Sequence, residues 1–162
     1  ERHAEEAPLG PVATELLEKR ELSFVFDAPK SRLWDVHTKC EHLQKWMLGP
    51  EGTSMPVCEL NLRPGGKWHH EWRLPDGSTM EMVGVIKEVV PGEKIVQTEN
   101  WGGDFAESLN TMLFSERNGK TTVTTTVVYP SKQDREAAIA TGMKEGWSES
   151  YDRLDNYLRK TR

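Results

Sequence analysis

The sequence predicts an α+β fold: a curved antiparallel sheet wrapped around a long C-terminal helix, with two short helices after the first strand. Three observations predict it. Six strand-like segments follow one another between residues 55 and 129, with tight turn signals between them. Apolar residues recur at helical spacing after residue 131. The chain, at 162 residues, has the size of one domain. A sheet with one apolar face and an amphipathic helix bury both surfaces when the sheet curls around the helix.

The N-terminal part divides into a lead-in and the start of the domain. Residues 1–19 are a polar lead-in in which Pro11 could begin a short helix. Residues 20–162 form the domain. Its first strand is predicted over residues 21–27, where apolar and polar or small side chains alternate. Pro29 ends that strand, and helical spacing then predicts two short helices, one around residues 33–37 and one over residues 39–47.

The middle of the chain is predicted to be an antiparallel meander, because tight turns join each strand to the next. Asn118-Gly119 is the strongest hairpin signal among these turns. The predicted strands are residues 55–62, 67–74, 79–90, 94–101, 108–116 and 120–129.

The C-terminal segment predicts the longest helix of the chain. Its apolar residues recur every three or four positions, and polar residues fill the other faces. They are Ile139, Met143, Trp147, Tyr151 (or Ser150), Leu154 and Leu158. Side chains from the sheet and the inner helix face do not always fill the space between them, so this geometry favours an internal cavity.

Composition and charge exclude several classes of function. The net charge is −5 and the basic residues are scattered, so no surface for nucleic acid is predicted. No apolar run approaches the ~20 residues of a membrane-spanning helix, and no signal peptide is recognisable. We therefore expect a cytoplasmic protein. Cys40 and Cys58 could pair, but a reducing cytosol favours two buried free thiols.

A series of short segments occurs along the chain in an order that is typical of one family. These segments are Phe24-Val25-Phe26-Asp27-Ala28-Pro29, Leu33-Trp34, Glu41-His42-Leu43, Trp46, Arg63-Pro64-Gly65-Gly66, Asp76-Gly77, Gly84, Glu88-Val89-Val90-Pro91, residues 95–99, Gly119-Lys120-Thr121 and residues 143–151. In them the sequence resembles the START-like (SRPBCC) superfamily, in the branch related to the C-terminal domain of the activator of the heat-shock-protein ATPase (AHSA-like), over about residues 20–160. The resemblance implies the helix-grip fold and a hydrophobic pocket between sheet and long helix, and it implies activity only loosely.

The strand over residues 67–74 is the most informative segment for function. Alternation puts Trp68, His70 and Trp72 on one face, which suits a cavity wall in contact with a flat apolar ligand. An imidazole titrates near neutral pH, so His70 could bind a ligand or act as acid or base. The alternative is that His70 only forms hydrogen bonds inside a mixed core.

The strand over residues 94–101 has two possible inward faces. Either Ile95, Gln97, Glu99 and Trp101 point inward, or the alternate residues do; the first set is favoured because it carries the bulkier apolar groups. A buried carboxylate is costly unless it is paired or protonated. His70 and Glu99 are therefore the candidate catalytic residues, provided that they meet.

The predicted ligand site combines residues from the sheet and the last helix. Hydrogen bonds from His70 and Tyr151 are expected to orient the ligand. The predicted ligand-binding residues are Trp68, His70, Trp72, Met82, Trp101, Met112, Phe114, Met143, Trp147 and Tyr151. No cofactor is expected, because nucleotide-binding glycine motifs are missing. No metal site is expected either, because adjacent histidines in a strand point to opposite faces.

Three functions are consistent with these sequence features. The first is binding of an apolar or aromatic small molecule in an internal cavity between the sheet and the C-terminal helix. The second is an enzyme that cyclises, dehydrates or hydrolyses a polyketide-like ligand. The third, a chaperone-associated interaction module, is implied by the resemblance alone and ranks last. Unpaired edge strands could also support a homodimer.

Overall fold

An eight-stranded antiparallel sheet with four helices forms the fold in the computed structural model, which describes residues 5–6, 19–103, 105–141 and 143–161, with side chains from residue 19 onward except 143–146. The strand order is β1-β2-β8-β7-β6-β5-β4-β3. The predicted α+β architecture, a curved open sheet with a C-terminal helix, is confirmed. The elements are β1 (Glu5–Glu6), β2 (Lys19–Phe26), α1 (Lys30–Thr38), α2 (Cys40–Trp46), β3 (Ser54–Leu60), β4 (Lys67–Arg73), β5 (Thr79–Val90), β6 (Lys94–Glu99), β7 (Ser108–Arg117), β8 (Lys120–Val128), α3 (Lys132–Ala140) and α4 (Met143–Lys160).

The lead-in contributes one short strand, β1, which pairs antiparallel with β2. The helix expected to begin at Pro11 lies outside the described residues. The first strand of the domain begins earlier than predicted, at Lys19, because β2 pairs along its whole length with β8. The meander therefore closes onto β2, which lies between β1 and β8.

Aromatic side chains form the core between the sheet and the helices. Tyr151 of α4 makes edge contacts with Phe24 and Phe26 of β2, at ring-centroid distances of 4.4 and 5.1 Å. Trp46 of α2 stacks on the same tyrosine at 5.5 Å, and its indole nitrogen donates a hydrogen bond to the carbonyl of Val36. Since these rings come from β2, α2 and α4, their burial fixes α2 and α4 against the concave face of the sheet, and the hydrogen bond to Val36 joins α1 to α2.

The C-terminal segment is two helices where the periodicity predicts one. α3 ends at Ala140, and Thr141 caps it by donating its hydroxyl to the carbonyl of Ala138. α4 then carries the apolar stripe predicted from the sequence, with Tyr151, Leu154 and Leu158 buried. No helix among the described residues is long and apolar enough to cross a membrane.

A disulfide joins Cys40 and Cys58, so the expectation of two free thiols is wrong. Cys40 is the first residue of α2 and Cys58 lies in β3, directly opposite His70 of β4. The two cysteines are 18 residues apart in the chain, but α2 packs on β3 and brings their Cα atoms to 5.7 Å. That separation is within the range of ordinary disulfides.

Gly84 lies where the sheet has no room for a side chain. It is directly opposite Trp68, whose indole nitrogen donates a 3.1 Å hydrogen bond to the Thr98 carbonyl. A methyl group at position 84 would overlap both that carbonyl oxygen and the indole. We expect Gly84→Ala to lower the free energy of unfolding by about 2–3 kcal/mol, measured by urea unfolding followed by tryptophan fluorescence. Val83→Ala, an exposed neighbour, should change it by less than about 0.5 kcal/mol; equal stability of the two variants would contradict the overlap.

Candidate functional site

A small, partly open cavity lies between the sheet and the two short helices. Its volume is about 40 Å³. The sequence predicts a cavity under the C-terminal helix, but no described side chain of α4 lines it. The lining residues come from α1, α2, the segments that follow α2 and β3, and strands β3, β4, β6 and β7; they are His37, Leu43, Met47, Leu60, Leu62, Trp68, His70, Ile95, Gln97 and Met112.

The size of the cavity limits what it can hold without a change of shape. A water molecule needs about 10–15 Å³ of cavity volume, so the cavity has room for about three water molecules. Sites for drug-sized ligands are about 300–1,000 Å³. An aromatic ligand therefore fits only if the wall moves. Met47 and Met112 are half-buried, and their flexible thioether side chains are the lining groups best able to move.

His70 is the polar group of the cavity wall that lacks hydrogen bonds. It points from β4 to the concave face and is 7% exposed. Neither ring nitrogen has a hydrogen-bond partner among the described residues. Burial, and to a lesser extent the charge of His69, lowers the pKa of His70 to about 4. The ring is therefore neutral at pH 7 and offers one donor and one acceptor.

His37 lines the cavity from α1 with both ring nitrogens bonded. Its Nδ1–H donates to the carbonyl of Leu33 at 2.7 Å, and its Nε2 accepts from the Tyr151 hydroxyl at 3.2 Å. Burial lowers the pKa of His37 to about 4, against the opposing effect of the Leu33 hydrogen bond. This imidazole is also neutral at pH 7. The Tyr151 hydroxyl donates its hydrogen bond to His37 and not to a ligand.

Glu99 is held outside the cavity by two amide side chains. Its Oε2 accepts hydrogen bonds from Asn110 at 3.0 Å and from Gln97 at 3.3 Å. Burial raises the pKa of this carboxyl, and the two hydrogen bonds oppose the rise. Burial and the nearby Glu99 charge raise the pKa of Tyr129 to about 12. His70 and Glu99 do not hydrogen-bond to each other, so the structure does not form the acid–base pair on which the enzyme hypothesis depends.

The predicted site residues separate into three groups. Trp68, His70 and Met112 line the cavity. Met143 begins α4, and its side chain lies outside the described residues. The other predicted residues pack nearby without lining it: Trp72 stacks on Trp101, Phe114 contacts Trp34 and His37, Trp147 contacts Tyr151, and Met82 is buried in the core.

Seven lining residues are not among the predicted ligand-binding residues. They are His37, Leu43, Met47, Leu60, Leu62, Ile95 and Gln97. The helical spacing around residues 33–37 and 39–47 predicts helices, but not that these helices cover the cavity. The structure agrees only in part with the favoured inward face of β6: Ile95 and Gln97 line the cavity and Glu99 is buried, but Thr98 of the alternate set is buried as well.

An open antiparallel sheet that encloses helices and a mostly apolar cavity defines a helix-grip protein of the START-like class. Three solved structures share this fold. A Rhodobacter sphaeroides protein is 23% identical, covering 99% of this chain and 100% of that one, with a TM-score of 0.87. A Mycobacterium smegmatis protein is 24% identical, covering 96% and 99%, with a TM-score of 0.81. An AHSA1 protein from Silicibacter pomeroyi is 22% identical, covering 89% and 99%, with a TM-score of 0.74.

The family follows from a separate match. Residues 27–159 match the family "Activator of Hsp90 ATPase homolog 1-like protein". The chain therefore belongs to this family, as the resemblance in the sequence implied. No curated protein matches the chain.

Proposed function

We propose that the protein binds a small, neutral, mainly apolar molecule with one hydrogen-bonding group in the cavity beside His70. The observation that carries the proposal is the unpaired imidazole. No described residue bonds to either ring nitrogen, so a ligand hydroxyl would supply a hydrogen bond, worth about 1 kcal/mol, that the protein itself does not provide.

The rest of the lining supports a neutral ligand. Seven of the ten lining residues are apolar, and the other three are His37, His70 and Gln97. Both histidines are neutral at pH 7 because their pKa values are about 4. A charged ligand would therefore lose its hydration without gaining an opposite charge. The binding energy would come mainly from apolar area buried against Trp68, Met112 and the leucines.

Phenol and toluene form a matched pair of probes, because they differ by a hydroxyl in place of a methyl. We expect the protein to prefer phenol by about tenfold, equivalent to one hydrogen bond. His70→Leu keeps a similar volume and removes both nitrogens, so it should abolish the preference while toluene still binds. Binding is measured by ligand-observed NMR titration, and His69→Leu, on the opposite face of the same strand, is the control.

Two outcomes would contradict the proposal in different ways. If neither phenol nor toluene binds the unchanged protein, and no larger aromatic alcohol does, ligand binding in this cavity is rejected. An unchanged phenol preference in His70→Leu would show that His70 does not carry recognition. We also propose a cytoplasmic location for the protein. Two free thiols would have supported this location, and the disulfide between Cys40 and Cys58 removes that support.

A further inference from the structure

The convex face of the sheet, opposite the cavity, brings together one imidazole and two carboxylates. His69 and Glu71 project from β4, and Glu81 projects from β5. One ligand atom from each of the three residues lies within 4.8 Å of the other two. We propose that His69, Glu71 and Glu81 bind a divalent transition-metal ion, with Zn²⁺ as the probe.

The register of the strands places two like charges side by side. Glu71 and Glu81 are directly opposite each other in the β4–β5 pair. Like charges in this position destabilise a sheet, unless something between them carries positive charge. A divalent cation bound to both carboxylates would replace this repulsion by two attractions.

The His69 ring lies at the distance expected of a second ligand. Its Nε2 lies 3.2 Å from Oε2 of Glu81. That nitrogen is buried, yet it has no hydrogen bond among the described residues. Two ligand atoms of a tetrahedral Zn²⁺ are about 3.3 Å apart, given metal–ligand bonds of about 2.0–2.1 Å. The separation of the two atoms is therefore that of neighbouring ligands on one ion.

The ligand set selects the class of metal. One imidazole and two carboxylates suit Zn²⁺ and similar first-row ions, whereas Mg²⁺ and Ca²⁺ prefer oxygen ligands only. Three protein ligands leave a fourth position for water or another molecule. Glu81 is 59% exposed in its side chain, so it can adjust its rotamer to complete the geometry.

Isothermal titration calorimetry with ZnCl₂ on the full chain tests the site. We expect one Zn²⁺ per chain, with affinity reduced at least tenfold in both His69→Gln and Glu81→Gln. Glu107→Gln, an exposed glutamate in the loop before β7, is the control and should bind as the unchanged protein does. Circular dichroism of each variant verifies that it is folded.

Co²⁺ provides a second readout, because its visible absorption reports four-coordination by these ligands. The spectrum should appear with the unchanged protein and disappear in His69→Gln. Absence of Zn²⁺ binding, or equal Zn²⁺ affinity in the two variants and the control, would overturn the proposal. The result is independent of ligand binding in the cavity, since the two histidines project from opposite faces of β4.

Discussion

Acidification from pH 7 to pH 4 is expected to lower the free energy of unfolding by about 3 kcal/mol for each of His37 and His70. Their pKa values are about 4 in the folded protein, against an ordinary value of 6.5. As the pH falls below 6.5, the unfolded chain binds protons that the folded protein does not, so stability falls until about pH 4 and then levels off. A difference of about 2.5 pKa units corresponds to about 3 kcal/mol.

Protonation of Glu99 changes the stability in the opposite direction as the pH falls, so its effect must be separated from that of the histidines. Its pKa is raised in the folded protein, so the folded protein takes up this proton first and gains stability as the pH falls through that pKa. Urea unfolding across pH 4–8, compared between the unchanged protein and His70→Leu, cancels the glutamate effect. The variant should lose one histidine's share of the pH dependence. Identical profiles for the unchanged protein and His70→Leu would show that His70 is protonated as readily in the folded protein as in the unfolded chain.

Loss of the disulfide is expected to cost about 3 kcal/mol of stability. The bond between Cys40 and Cys58 closes a loop of 18 residues. In the chain-entropy account, a cross-link over a loop of this length restricts the unfolded chain by about 3 kcal/mol. The double variant Cys40→Ser/Cys58→Ser should therefore unfold at lower urea concentration, with a decrease in the free energy of unfolding of this size.

A reductant separates the disulfide from the effect of the two serines. Adding a phosphine reductant should destabilise the unchanged protein by a similar amount and leave the double variant unaffected. If reduced and oxidised forms of the unchanged protein unfold at the same urea concentration, the cross-link does not constrain the unfolded chain. The loop includes Leu43 and Met47 of the cavity wall, so the measurement also reports how firmly that wall is held.

The order and type of the elements were predictable because they depend on local patterns. The alternation around Trp68 and His70 predicts which face of β4 is buried, since successive side chains of a strand point to opposite sides. The helical periodicity of Tyr151, Leu154 and Leu158 predicts the buried stripe of α4, because residues three or four positions apart lie on one face of a helix. Tight turns between strands similarly predict an antiparallel meander. The break between α3 and α4 was missed, because apolar periodicity continues across Thr141.

The candidate sites were only partly predictable, because each depends on contacts between distant segments. The sequence by itself determined the order of the predicted strands and the placement of His70 on the buried side of β4, through the local geometry of strands and helices. Only the tertiary structure decided that α1 and α2 cover the cavity, that Cys40 reaches Cys58, and that Glu81 lies opposite Glu71. The physical reason is that strand register and helix packing set these distances, and both are determined by the burial of the whole core rather than by any one segment.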